Sequence, residues 1–203
     1  MSEPVGWNTR YQKRETPWDL DGASPSLRAA LDLGMLHGFK RVLVPGCGLG
    51  HDVELLAERG HEPLGVDMAP TAIERLRERV DARPDSVNVE AEVGDVFTLP
   101  HRHGEATFDA VFEYTCFCAI DPADRPRYAA TMTHLVRPGG RLLFLVFPTH
   151  RDVEGGPPFA VTLDDVRAHF DEGWVERFAS PSQVAPGLRA GREWVALLER
   201  RAP

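Results

Sequence analysis

The chain has 203 residues, 42% of them hydrophobic and 27% charged, with a formal net charge of −8. These values suit one domain over 1–203 with a sizeable core, and they argue against a broad nucleic-acid footprint, which needs a basic face. No apolar run approaches the ~20 residues of a membrane-spanning helix, and Met1-Ser2-Glu3-Pro4 lacks a signal-peptide profile. Cys47, Cys116 and Cys118, an odd number outside any disulfide-like framework, point to a reducing cytoplasm.

Residues 1–25 form a polar N-terminal arm carrying Trp7, Tyr11 and Trp18, aromatics that either clamp the arm to a core or roof a ligand pocket. Ser24 and Pro25 suit the cap and first position of a short helix through Leu33. Val42, Leu43 and Val44 read as a strand buried on both faces, ended by Pro45 and followed by Gly46, Gly48 and Gly50. A helix begins near Asp52, with Val53, Leu56 and Ala57 on one face and Gly60 as its stop. Strand, glycine turn and helix bring a nucleotide-like ligand onto bare backbone beside a helix N-terminus.

Two nucleotide readings compete at this turn. The dinucleotide fingerprint G-x-G-x-x-G/A requires Gly or Ala at position 51, where His51 stands. The spacing is G-x-G-x-G, the first motif of S-adenosylmethionine (SAM) methyltransferases. Asp67 closes the next strand, 63–67, and an acid there can hold ribose hydroxyls under either reading.

Pro70 opens a helix to Val80 with Ile73, Leu76 and Val80 on its buried stripe. Arg75, Arg77 and Arg79 stand among Glu74 and Glu78, a pattern that predicts a solvated face rather than a phosphate track. Val87, Val89, Ala91 and Val93 alternate as a third strand ending in Gly94-Asp95-Val96-Phe97. His101-Arg102-His103-Gly104 reads as a loop with exposed histidines; no third ligand stands at a metal spacing, so no metal site is expected. Phe108 to Tyr114 is the fourth strand, and it leads into Thr115-Cys116-Phe117-Cys118, whose cysteines read as lining rather than ligands.

Asp121-Pro122 starts a helix to Leu135, and Pro138-Gly139-Gly140 turns into a fifth strand from Arg141 to Phe147. Arg151 to Pro158 is an exposed loop able to lie over a site. Thr162 to Asp165 resembles a capping box for a helix through Phe170. The last two strands are Trp174 to Phe178 and Glu193 to Arg200. The alternation predicts an α/β fold, a Rossmann-like open sheet, mostly parallel, with helices on both faces. Ligands in such sheets sit beyond the carboxyl ends of the strands, where Gly46–Gly50, Asp67, Asp95 and Glu113–Cys118 converge.

At these residues the chain resembles a known family. The stretch from Val44 to Val53 is similar to the first motif of the thiopurine methyltransferase superfamily, within its halide/thiol (thiocyanate) methyltransferase branch. Thr16-Pro17-Trp18-Asp19, Tyr114-Thr115-Cys116-Phe117-Cys118-Ala119-Ile120 and Gly155-Gly156-Pro157-Pro158-Phe159 follow in the family's order, so the resemblance covers about residues 6 to 198. It implies the class I methyltransferase fold, with seven strands and the last antiparallel, and SAM as cofactor. By position it implies that Trp7, Tyr11 and Trp18 close over the cofactor, that Gly46 meets its methionine part and that Gly48 also binds the cofactor. Asp67 would hold the ribose, Asp95 and Val96 would border the adenine, and Tyr114 would lie near the transferred methyl. Cys116, Phe117 and Phe159 would form the substrate pocket. Tyr11, Glu113, Cys116 and Phe159 depart from the residues usual in plant relatives, a difference that bears on substrate preference.

A sulfonium methyl needs only an in-line nucleophile, and no Ser-His-Asp set or carboxylate pair is evident. The expected chemistry is positioning and desolvation of a small anion or thiol such as halide, thiocyanate or bisulfide. Trp18 or Tyr114 would face the cation, and Tyr114 or a water it orients would assist loss of a thiol's proton. Two rival readings are a SAM-dependent enzyme for a larger acceptor (a thiopurine, a natural-product thiol or a metalloid) and a SAM-binding module without turnover. Expected partners are small molecules only, with neither nucleic acid nor membrane, and the expected state is a monomer.

Overall fold

The computed structural model describes residues 6–83, 87–147 and 156–202. Seven strands form one sheet: β1 (Arg41–Pro45), β2 (Glu62–Asp67), β3 (Glu90–Val93), β4 (Phe108–Tyr114), β5 (Val136–Val146), β6 (Trp174–Pro181) and β7 (Trp194–Arg200). Their order is β3-β2-β1-β4-β5-β7-β6. β7 runs antiparallel to both neighbours, and the other pairings are parallel. The helices are α1 (Trp7–Lys13), α2 (Pro25–Asp32), α3 (His51–Glu58), α4 (Pro70–Asp81), α5 (Leu99–His103), α6 (Arg125–Leu135) and α7 (Leu163–His169).

Side-chain alternation along the central strands builds a core on each face of the sheet. Leu43, Val111, Leu142 and Phe144 face one core, shared with Leu99 of α5, Tyr128 and Met132 of α6, and Val166 of α7. Val42, Val44, Phe112, Leu143 and Leu145 face the other, shared with Leu27 of α2, Val53 and Leu56 of α3, and Leu76 of α4. The helix starts are chemically marked. Ser24 accepts the Leu27 N–H ahead of Pro25, and Thr162 and Asp165 form a reciprocal capping box on α7. No described helix is long and apolar enough to cross a membrane.

Local expectations fail where tertiary contacts decide. The polar arm contains α1, whose weak periodicity is offset by burying Tyr11 against Ala69 and Ala72. The third strand starts at Glu90 rather than Val87, its four residues pairing with Leu64 to Asp67 of β2. Residues 101–103 are helical rather than a loop, and His103 is half-buried, its Nε2 3.0 Å from Glu92 Oε2. Pro138-Gly139-Gly140 lies within β5, where the register against β4 shifts between Phe108 and Ala110. β6 continues to Pro181. On α4, Arg79 does not simply face solvent: it pairs with Glu54 of α3 and donates to the Leu49 carbonyl, fixing α4 to the glycine turn. Most of the 151–158 loop, with Gly155, lies outside the described residues.

Candidate active site

β1 and β4 are neighbours, yet the chain proceeds from β1 outward to β2 and β3, and from β4 to the opposite edge. Their carboxyl ends therefore diverge, which is where open α/β sheets make a ligand crevice. A cavity of about 1020 Å³ opens there, with the glycine turn, Asp67, Gly94–Phe97, Tyr114–Cys116, the N-terminal arm, residues 186–189 and Arg192 on its walls.

The glycine turn shapes the floor. Gly46 and Gly48 have φ of 58° and 54°, backbone that side-chain-bearing residues rarely adopt. A Cβ on Gly46 would stand 2.8 Å from Cys116 Cβ, and one on Gly48 2.8 Å from Tyr11 Oη. Asp67 anchors the turn: Oδ2 accepts the Gly48 N–H at 2.9 Å and Oδ1 the Ala69 N–H at 2.8 Å. Burial raises the Asp67 pKa, and the two backbone bonds oppose that rise. Each carboxylate oxygen keeps further acceptor capacity on the cavity wall. Asp95 caps the turn at Val96–Thr98 by accepting the Phe97 N–H, and both Asp95 and Val96 line the cavity.

The arm forms the roof. Trp18 Nε1–H donates to Tyr11 Oη at 3.2 Å, and Trp18 meets the Trp7 and Tyr11 rings edge-on at 5.4 and 5.8 Å between centroids. Arg10 lies over the Trp18 ring at 4.7 Å, so a cation of the chain itself occupies one face of that indole. Burial beside Asp67 pushes the Tyr11 phenol well above its usual pKa, so it stays neutral.

The far wall follows β4. Glu113 is fully buried and accepts the N–H of Cys116 at 3.1 Å, the N–H of Phe117 at 2.9 Å and the hydroxyl of Tyr128. These bonds hold Thr115 at φ 62°, a strained value for a β-branched residue. Tyr114, Cys116 and Cys118 line the cavity as a result. Phe117 and Phe159 do not. Phe117 is wholly buried in an aromatic cluster with Tyr128, Phe144 and Phe170. Phe159 packs over Gly156 and donates its N–H to the Cys118 carbonyl at 2.7 Å. Among the described residues of that loop, Pro157 and Pro158 line the cavity. Among the described residues no cluster of His, Cys, Asp or Glu could hold a metal ion.

The segment before β7 adds groups that motif reading misses. Arg189 lines the cavity while only 5% exposed. Its guanidinium lies 4.7 Å from the Tyr114 ring centroid and 5.1 Å from that of Phe147, and it donates to the Trp18 carbonyl. Its Nη1 is buried with no hydrogen-bond partner among the described residues. Burial lowers the Arg189 pKa, opposed by the charges of Glu193, Asp52 and Asp19, and the group remains a cation. Glu193, fully buried, accepts the Tyr114 hydroxyl at 2.5 Å. A signal existed for both residues. An antiparallel last strand starts at the carboxyl end of its parallel neighbours, so residues just ahead of it lie at or directly behind the crevice wall.

Comparison with known proteins bears on this geometry. The family model described as thiopurine S-methyltransferase matches residues 2–201. The chain is 36% identical over 189 residues to the probable thiol methyltransferase 2 of Arabidopsis thaliana, covering 93% of this chain and 81% of that protein. It is 37% identical over 194 residues to thiocyanate methyltransferase 1 of Brassica oleracea, covering 94% and 83%. Among solved structures, the 1,6-didemethyltoxoflavin-N1-methyltransferase of Burkholderia thailandensis, with bound 1,6-didemethyltoxoflavin and S-adenosylhomocysteine, shares the fold. It superposes with a TM-score of 0.71 at 21% identity, covering 97% of this chain and 86% of that one.

Proposed function

Because the chain belongs to the thiopurine S-methyltransferase family and is a SAM-dependent methyltransferase, we propose that its acceptor is a small anion or thiol: a halide, thiocyanate, bisulfide or thiolate. The observation that carries this reading is Arg189, a cation held at 5% exposure on the cavity wall with Nη1 unpartnered among the described residues. Such a donor is costly to bury without an acceptor, and an incoming anion supplies one.

The residues present fit the cofactor. Gly46 and Gly48 line the cavity where the methionine part would lie, their missing Cβ atoms making room for Cys116 and Tyr11, Asp67 has acceptor capacity for ribose hydroxyls, and Asp95 and Val96 border the adenine position. Trp7, Tyr11 and Trp18 close over it. Bound SAM supplies an electrophilic sulfonium methyl. The chain's own part is to strip the acceptor of water against Tyr114, Cys116 and the two prolines and to hold it in line by Arg189. No general base is needed for an anion that arrives deprotonated. We read the protein as a cytoplasmic monomer, its three free cysteines suited to a reducing compartment.

The test is headspace gas chromatography of purified protein with SAM and, separately, iodide, thiocyanate, hydrosulfide and an aromatic thiol. Volatile methylated product from the small anions is expected. Transfer to the bulky thiol alone would overturn the small-acceptor reading, and bound SAM without any product would make the chain a binding module.

A further inference from the structure

Behind Tyr114 lies a buried polar chain that transfer to a halide does not use. Tyr114 is on the cavity wall, and its hydroxyl donates to Glu193 Oε2 at 2.5 Å. Ser26 Oγ of α2 donates to Glu193 Oε1 at 2.5 Å, and Ser182 Oγ stands 2.6 Å from Ser26 Oγ. Glu193 is fully buried and does not itself line the cavity, so its route to an acceptor passes through the Tyr114 hydroxyl.

We propose that Glu193, acting through Tyr114, receives the proton of a thiol acceptor, and so decides whether the enzyme can methylate neutral thiols as well as ready-made anions. The inference rests on the small-anion and thiol reading above and deepens it. A free thiol with a pKa of ~8.5 is mostly protonated at neutral pH. Burial moves the Glu193 pKa upward, toward the range useful to a base, while Ser26 and Arg189 oppose that shift. The groups facing it are Tyr114 from β4, Ser26 from α2, Ser182 after β6, Arg189 from the segment before β7, and Asp52 at the start of α3.

In the step, the acceptor S–H bond breaks and its proton goes to Tyr114 Oη as the Tyr114 proton goes to Glu193 Oε2. The thiol sulfur bonds to the methyl carbon, and the electron pair of the broken sulfonium bond stays on the sulfur of S-adenosylhomocysteine. The positive cofactor and the negative carboxylate both end neutral, and Glu193 later returns its proton to solvent. Iodide and thiocyanate bring no proton, so for them the Glu193 charge only weakens the pull of Arg189.

The test compares wild type, Glu193→Gln and Tyr114→Phe on iodide, thiocyanate and an alkyl thiol across pH, with S-adenosylhomocysteine binding by calorimetry as the check on folding. Glu193→Gln should lower kcat/KM for the alkyl thiol about 100-fold at neutral pH, the scale of a lost proton transfer. The loss should close as pH rises through the thiol's own pKa. The KM for iodide should fall rather than rise. Tyr114→Phe, which keeps the carboxylate but cuts the route, should reproduce the thiol-selective loss.

A spectroscopic readout is independent of turnover. With sinefungin, which carries an ammonium in place of the sulfonium methyl, adding the thiol should raise an infrared band of a protonated carboxyl in wild type. Iodide should not raise it, and Glu193→Gln should lack it. Equal losses on iodide and thiol, an unchanged thiol pH profile, or no transfer to any protonated thiol would each overturn the proposal. A wild type that methylates only a bulky thiol would defeat the small-acceptor reading alone, since the Glu193 comparison then runs on that thiol.

Discussion

The two sides of the crevice are built from different materials. The side formed by the ends of β1 to β3 is mostly backbone: the turn at Gly46–Gly50, with Asp67 gripping the Gly48 and Ala69 amides and Asp95 capping its own turn. Everything there comes from 52 consecutive residues, 46–97. The side formed by β4 and β7 is made of side chains from distant segments, Tyr114 bonding Glu193 across 79 positions and Ser26 bonding it across 167. A backbone cradle suits a constant ligand, whereas side chains set a charge and a proton path that can be changed one residue at a time. Cofactor binding and acceptor choice should therefore be separable.

The sharpest way to break that separation is Arg189→Met, which keeps a long side chain and removes the charge. Steady-state kinetics should show kcat/KM for thiocyanate and iodide down about 100-fold, the scale of ~1.5–3 kcal/mol for a hydrogen bond to a charged group. Calorimetry should find S-adenosylhomocysteine affinity within about threefold of wild type. A comparable fall in both would mean that the two sides act as one. The reverse change is Gly48→Ala. The left-handed backbone costs ~1–2 kcal/mol with a Cβ, and Tyr11 must move. Cofactor binding should weaken about 10-fold while the ranking of acceptors stays as it was.

The remaining effect is on stability against pH. Burial pushes Glu113 and Asp52 up to about 7 from ordinary values of 4.5 and 3.8. Between those limits the folded chain holds protons that the unfolded chain has released, so stability falls as pH rises through about 4 to 7. Thermal unfolding should show Tm dropping by on the order of ten degrees or more over that window, since each unit of pKa difference is worth ~1.4 kcal/mol and ~1 kcal/mol about 2–4 °C for a chain of this size. Glu113→Gln should flatten the slope. A Tm that climbs across the window would show that the bonds from Cys116, Phe117 and Tyr128 outweigh burial.

The same contrast explains what could be read from sequence. Gly46, Gly48, Asp67, Asp95 and Val96 were legible because their spacing is local, and the structure brings them to one cavity with Trp7, Tyr11, Trp18, Tyr114 and Cys116. Phe117 and Phe159 were misplaced because a turn hides which way its side chains go: Glu113 clamps the Cys116 and Phe117 amides, turning the Phe117 ring into the core. Arg189 and Glu193 escape a motif reading because their partners, Tyr114, Phe147 and Ser26, are distant in sequence. α1 was missed because its stability comes from Tyr11 packing against Ala69 and Ala72 rather than from its own periodicity.

The place of β7 between β5 and β6 also has a consequence for the order in which the molecule is assembled. Among the described residues β6 pairs with β7 alone, so it has no seat in the sheet until the last strand has been made and inserted. The cofactor cradle, by contrast, needs only strands from the first half of the chain, whose contacts are shorter in sequence and close sooner. A nascent chain can thus own a nucleoside cradle before it owns Arg189 or Glu193. On the roles proposed above for Arg189 and Glu193, the ability to choose an acceptor arrives last, with the closing strand.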